Sequence, residues 1–206
     1  MDDAYLHELL TGLARAHRVP GAQLVVRSAG RWAGAVTGTT AVDGGGPVER
    51  DSAFPVSSLT KPFTAALVLM LAADGDLDLD EPVTDQLPEA GLESKATLRQ
   101  LLSHTGGLAA NLPEEDGHPD DLARWVAKSA RRLTPVAEPG AAFSYSNVGY
   151  VLAGRLVERT TGMSWARAME VMLLRPLGLP PGSAPGGGRP PVPGHLVRRS
   201  DGLVVP

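Results

Sequence analysis

The run Lys61-Pro62-Phe63-Thr64-Ala65-Ala66-Leu67-Val68-Leu69-Met70-Leu71 constrains this chain more than any other stretch. It is apolar enough to be buried, yet it carries a proline near its start. Inside a helix, proline removes a backbone donor and clashes with the preceding turn. In the first turn the loss costs little, because those amides have no intrahelical partner. A helix over 58–73 must therefore open just before Pro62, with Ser58 and Lys61 on its first turn. Residues i and i+3 share a helix face, so the Lys61 ammonium can reach the Ser58 hydroxyl. A serine hydroxyl is a poor nucleophile until a neighbouring base takes its proton, and a desolvated lysine can be that base. The helix N-terminus also favours negative charge on the serine oxygen. The bland alternative makes Ser58 a helix cap and Lys61 a solvated charge, and such a pair arises by chance roughly once in a chain of this size.

A second segment bears on the choice. Phe143-Ser144-Tyr145-Ser146-Asn147-Val148-Gly149-Tyr150 follows the turn signal Glu138-Pro139-Gly140. Tyr145 and Asn147 are two apart, so in an extended or looped segment their side chains point the same way. A tyrosine near a cationic lysine has its phenolate favoured and can shuttle a proton. Asn147 offers a carboxamide to the lysine or to a substrate amide. Taken singly, each has a structural alternative, a buried tyrosine and a helix-capping asparagine.

Together the two segments resemble the N-terminal part of the class C β-lactamase-related serine hydrolases. That group includes penicillin-binding carboxypeptidases, family VIII-type esterases and some acyl-transferring enzymes. Ser58-x-x-Lys61 matches the first motif and Tyr145-x-Asn147 the second, a relative of the S-x-x-K and S-D-N pair of class A enzymes. Leu71-Ala72-Ala73-Asp74-Gly75-Asp76-Leu77-Asp78-Leu79-Asp80-Glu81-Pro82-Val83 and Leu98-Arg99-Gln100-Leu101-Leu102-Ser103-His104-Thr105-Gly106-Gly107-Leu108 are similar to the family's intervening text. Gly149–Glu158 and Arg175-Pro176-Leu177-Gly178-Leu179 extend the resemblance, which runs from about residue 19 onward. The family's third motif, Lys/His-x-Gly, lies on a later strand that lines the opposite cleft wall and supplies an oxyanion-hole amide. Nothing after Asn147 spells it: Gly194-His195-Leu196 lacks the glycine, and His104-Thr105-Gly106 falls in the earlier loop.

The resemblance implies an α+β fold of the β-lactamase/penicillin-binding transpeptidase type, a helical domain plus an antiparallel sheet that is incomplete in this chain. It implies acyl transfer in which Ser58 attacks an ester or amide carbonyl while Lys61 and Tyr145 relay its proton. Asn147 would orient the lysine and the acyl group. The Ser58 amide would form half of an oxyanion hole, each donor of which is worth on the order of 3 kcal/mol. Hydrolysis and transfer to another nucleophile both remain open. A second polypeptide or C-terminal segment carrying the remaining strands and the Lys/His-x-Gly motif is expected as partner. The alternative is a catalytically inactive binding or regulatory module of the same family.

Composition narrows the classes. Across 206 residues the net charge is −4 and basic residues are dispersed, so nucleic acid is not an expected partner. Cysteine is absent, which removes disulfide and thiol chemistry. No His/Cys/Asp/Glu cluster has ligand spacing, so no metal or other cofactor is expected. The acidic start Met1-Asp2-Asp3-Ala4-Tyr5 lacks a basic n-region before an apolar run, and no apolar run is long enough to span a bilayer; a cytoplasmic location without membrane contact is expected.

The rest of the pattern reads as a series of short elements. An amphipathic helix over 4–17, with Leu6, Leu9, Leu10, Leu13 and Ala14 on one face and Asp2 or Asp3 as cap, precedes a hairpin of 22–28 and 32–38. Gly44-Gly45-Gly46-Pro47 reads as a loop. Helices are expected over 58–73, 98–103, 120–132, 148–160 and 164–174. The Pro- and Gly-dense 180–194 reads as a loop, and Asp201-Gly202 as the turn of a final hairpin. His104, in its glycine-flanked loop, reads as a residue fixing backbone beside the cleft rather than as a catalytic base. Three regions follow: 1–50 with the first helix and strands, 51–179 as the mainly helical catalytic region, and 180–206 as loop and hairpin.

Overall fold

The computed structural model describes residues 2–111, 121–179 and 192–194, and the backbone of 196–197 and 204–205. The expected loop over 180–191, the start of the 120–132 helix and the Asp201-Gly202 turn lie outside the described residues. The chain forms two compact units, 57–188 and 1–56 with 189–206.

In the unit that holds the N-terminus, α1 (Asp3–Ala16) starts at Asp2, whose carboxylate accepts from the Tyr5 amide. Strands β1 (Gly21–Ser28) and β2 (Arg31–Gly38) pair antiparallel, with Leu24 opposite Ala35. Their two-residue turn, Ala29-Gly30, has φ of 49° and 76°, the left-handed pair whose twist suits a tight hairpin. Helix α1 lies along this hairpin: Asp3 accepts from the Gly34 amide at 2.8 Å and from Arg50, and Thr11 donates to Thr37. Leu6 and Ala14 are buried there, but Leu9 and Leu13 are 43% and 48% exposed. The five-residue apolar face expected for this helix is thus only partly covered, because a two-stranded sheet is too narrow to cover a wider stripe. On the hairpin, Leu24, Val26, Ala33 and Ala35 share one face while Val25 and Trp32 point to the other and stay exposed. Strands β3 (Leu196–Val197) and β4 (Val204–Val205) form a separate antiparallel pair.

The unit spanning 57–188 contains the main core. Helix α2 (Thr60–Ala73) carries Thr64, Leu67, Val68 and Leu71 inward, and Pro62 occupies its first turn as the proline argument requires. It is buried on one face only: Phe63, Leu69 and Met70 remain substantially exposed. After the short helix α3 (Val83–Gln86), α4 (Leu98–Leu102) starts with a capping box in which Thr97 and Gln100 exchange side-chain and backbone bonds. Helix α5 (Leu122–Ser129) is capped by Asp121. Helix α6 (Asn147–Thr161) is capped by Ser146 and ends at Gly162, whose φ of 68° suits glycine. The core joins Leu67, Val68, Leu98, Leu101, Val126, Leu152, Leu156 and Val157, all nearly inaccessible to solvent.

The helix expected over 164–174 divides. Helix α7 (Trp165–Ala168) continues as a wider π-helical segment, Met169–Leu174. Glu170 lies within the wider segment. Its carboxylate accepts from Arg167, three back, and from Arg175, five ahead. Five residues do not share a face on an α-helix, and the wider turn brings them together. No helix among the described residues is long and apolar enough to cross a membrane.

Burial predicts a contrast along these helices. Leu152→Ala, at a site with no exposure, should cost about 3 kcal/mol and lower Tm by roughly 6–12 °C. Leu69→Ala, half exposed on α2, should change stability by less than about 0.5 kcal/mol. Thermal melts followed by circular dichroism check both.

Candidate active site

Ser58 sits in a single 3₁₀ turn, Ser57–Leu59, that runs into α2. The preceding residue, Ser57, has φ of 47°, a left-handed conformation that costs a non-glycine residue about 1 kcal/mol. Nothing caps α2 with a side chain: the capping position is Leu59. The Ser58 hydroxyl instead lies 3.1 Å from Lys61 Nζ and 2.8 Å from Tyr145 Oη, both of which donate to it. Lys61 also donates to Asn147 Oδ1 at 2.6 Å. The four residues singled out in the sequence are therefore in contact, and each bland alternative fails on geometry. Tyr145 is 40% exposed rather than buried, and Ser146, not Asn147, caps α6.

A second layer holds the tyrosine-bearing segment in place. The loop 104–111 and the stretch 136–147 are laced by backbone bonds: Val136 N–H to Gly107 O, Gly140 N–H to Thr105 O, Ser144 N–H to His104 O, and Asn147 N–H to Ala110 O. Ser144 and Ser146 add hydroxyl bonds to the Leu108 and Ala109 carbonyls. Gly107 makes the close approach possible. Its φ is 69°, and a Cβ there would overlap the Ala137 carbonyl oxygen at 2.0 Å.

His104 belongs to this layer. Its Nδ1 accepts from the Ser146 amide at 3.1 Å, and its ring lies 4.5 Å from that of Tyr145. Asn111, which no spacing in the sequence marks, accepts from Asn147 Nδ2 at 2.6 Å. With its NH₂ group engaged by Asn111, Asn147 presents its oxygen to Lys61. Only the chemistry of the contact reveals Asn111; in sequence it is one more polar residue in a loop.

Charge is distributed unequally over the two tyrosines. The bonds from Lys61 and Ser58 hold the Tyr145 phenol below its usual range. Burial, then the nearby Tyr145, push Tyr150 up, and its hydroxyl donates to the Leu102 carbonyl at 2.8 Å. Lys61 lies 4.8 Å from the Tyr145 ring centre and 5.7 Å from that of Tyr150. Environments that drive two like groups apart mark Tyr145 as the one fit to exchange a proton. An exposed hydroxyl flanked by an ammonium and an acidified phenol can be deprotonated and can attack an electrophilic carbon.

The exposed Ser58 hydroxyl thus has a lysine three residues on and a Tyr-x-Asn pair beside it. The chain belongs to the Beta-lactamase family, whose model matches residues 6–181. Penicillin-binding protein 4 of Amycolatopsis lactamdurans is 38% identical over 184 residues, 86% of this chain and 48% of that protein. Esterase EstB of Burkholderia gladioli is 37% identical over 156 residues, 66% of this chain and 40% of that one. A crystal structure of SurE with D-Leu superposes with a TM-score of 0.74 at 40% identity, covering 93% of this chain and 44% of that one. A class C β-lactamase gives 0.71 at 27% identity, covering 85% and 48%. The fold is accordingly β-lactamase/transpeptidase-like, and the chain spans about half the length of the curated relatives it matches.

Gly107→Ala tests the lacing. The added methyl has no room against a backbone oxygen and the φ is unfavourable, so stability should fall by about 2–3 kcal/mol. Tm should drop by roughly 4–12 °C in a thermal melt.

Proposed function

We propose that this chain carries the nucleophilic half of a serine hydrolase or acyl transferase that works on esters or amides through an acyl-serine intermediate. One observation carries the reading: the Ser58 hydroxyl lies within hydrogen-bond reach of both Lys61 and Tyr145, and Lys61 is tied to Asn147. In the reacting state the 2.8 Å contact reverses, with Ser58 O–H donating to a Tyr145 phenolate that the Lys61 ammonium stabilises. As Ser58 Oγ bonds to the acyl carbon, its proton passes to Tyr145 and then to the leaving group. Water or a second nucleophile releases the acyl group by the same relay. Asn147 keeps Lys61 aligned and lies beside the position of the acyl group.

The names of the relatives, an esterase and a penicillin-binding protein, support ester or amide carbonyls as the substrate class. A fluorophosphonate or a β-lactam should label the protein, assembled with its missing segment, once, on Ser58, by peptide mass mapping. Ser58→Ala should remove the label, and persistent labelling would sink the assignment. Tyr145→Phe keeps the ring and should slow acylation by about 10²–10⁴ with Tm little changed. Lys61→Arg should be severely impaired, since a planar guanidinium cannot place one compact charge against both Ser58 and Asn147 as the ammonium does. The working form of Tyr145 is the deprotonated one and its phenol is held low. Acylation should therefore be fully present above that lowered value and be lost as pH falls through it, a limb absent in Tyr145→Phe.

We further propose that the remaining strands of the sheet and a Lys/His-x-Gly wall come from a second polypeptide or a C-terminal segment. The exposed apolar residues of the N-terminal unit, Leu9, Leu13, Val25 and Trp32, support this, as does the half-length match to relatives. A two-stranded hairpin is marginal alone and favours pairing. The 206-residue chain by itself should not turn over a chromogenic short-chain ester, and should gain activity and co-elute when co-expressed with the polypeptide encoded downstream. Full turnover by the monomeric chain alone would refute the requirement.

A further inference from the structure

We propose that His104 is a positioning residue for the nucleophile's relay: its neutral imidazole, accepting through Nδ1, fixes the segment that sets the Tyr145 hydroxyl against Ser58. The proposal rests on the acyl-serine reading for its consequence, but its geometry stands independently. The Ser146 amide can only donate, so Nδ1 must be unprotonated and the hydrogen must sit on Nε2. That amide lies between Tyr145 and Asn147 in sequence, so one bond governs the placement of both. The same residue accepts from Ser144 N–H through its carbonyl, gripping Tyr145 from the other side.

The ring itself completes the hold. It lies 4.5 Å from Tyr145 at a 35° tilt, 5.2 Å from Tyr150, and 5.7 Å from Phe143 edge-on. His104 also has φ of 59°, an unfavourable conformation that the bonds through its ring nitrogen and its carbonyl help to maintain. Protonating Nδ1 would oppose two N–H groups across 3.1 Å and break the bond. The groups facing the ring act on its charge. Burial first, then the Lys61 ammonium of α2, push the imidazole down; the facing Tyr145 and Tyr150 phenols are neutral until they ionise, and a Tyr145 phenolate would act in the opposite direction. The neutral form therefore dominates at neutral pH, and the hold is released only as pH falls below the ordinary histidine range.

The test uses two variants and readouts that do not depend on turnover. His104→Phe keeps a ring beside Tyr145 but loses the acceptor. His104→Asn places a carboxamide oxygen near the Nδ1 position, cannot titrate, and tolerates a positive φ. Nitrogen-15 NMR of labelled histidine should show the Nε2–H form of His104 at neutral pH. The Ser146 amide signal should shift in step with the imidazole on acidification, and cease to do so in His104→Asn. Carbon-13 labelling of tyrosine should show the Tyr145 titration moving up toward the ordinary phenol value in His104→Phe and returning down in His104→Asn. Fluorophosphonate labelling of Ser58 should slow about tenfold or more in the Phe variant. An Nδ1–H form at neutral pH, a Ser146 amide indifferent to the imidazole, or an unmoved Tyr145 titration in His104→Phe would each overturn the proposal. If the spectra behave as expected and no labelling occurs in any variant or in the parent, each co-expressed with the segment encoded downstream, the acyl-serine reading fails and the positioning role stands.

Discussion

The Lys61 ammonium is the point on which the site depends. It sits on the first turn of α2, and it donates both to Ser58 one turn back and to Asn147 at the start of α6. A partly buried cation needs acceptors that hold it without neutralising it, and a hydroxyl and a carboxamide oxygen do so. Its hydrogen bond draws Tyr145 toward the phenolate, and its charge adds to the burial that pushes the His104 imidazole down. Removing the charge would leave two groups, Tyr145 and His104, with altered protonation preferences, not one missing hydrogen bond.

The support for that charge is largely backbone. The loop 104–111 and the stretch 136–147 are laced through carbonyls and amides, so Tyr145 and Asn147 are placed by main-chain geometry more than by side-chain packing. Glycine at 107 and the left-handed backbone at His104 are the local costs of bringing the two segments so close. Burial of Leu101, Leu108 and Val148 around this loop anchors it to the main core.

Much of this was legible in the chain. Pro62 marked the opening of a helix near Ser58 and Lys61, although α2 begins at Thr60 and Ser58 lies on the 3₁₀ turn before it rather than on its first turn. The Tyr-x-Asn pair marked two residues that meet the first pair, Tyr145 at the Ser58 hydroxyl and Asn147 at the Lys61 ammonium. What stayed hidden depends on tertiary geometry. Asn111 acts only through its contact with Asn147, and a loop asparagine gives no periodic signal. The π-helical turn is accompanied by a five-residue Glu170–Arg175 pairing that α-helical spacing does not favour. The exposure of Leu9 and Leu13 on α1, and of Leu69 and Met70 on α2, reflects what covers a face, whereas periodicity reports only that a face exists.

The separation of the partners along the chain has a consequence for how competence is acquired. Ser58 and Lys61 meet as soon as one helical turn forms, whereas Tyr145 and Asn147 reach them across 87 and 86 residues. Loop closure over such distances is paid before any contact rewards it. A chain with α2 formed and α6 undocked would display the serine and the lysine yet lack the relay. On the proposed acyl-serine reading, covalent capture at Ser58 would report when α2 and α6 find each other rather than when either helix appears.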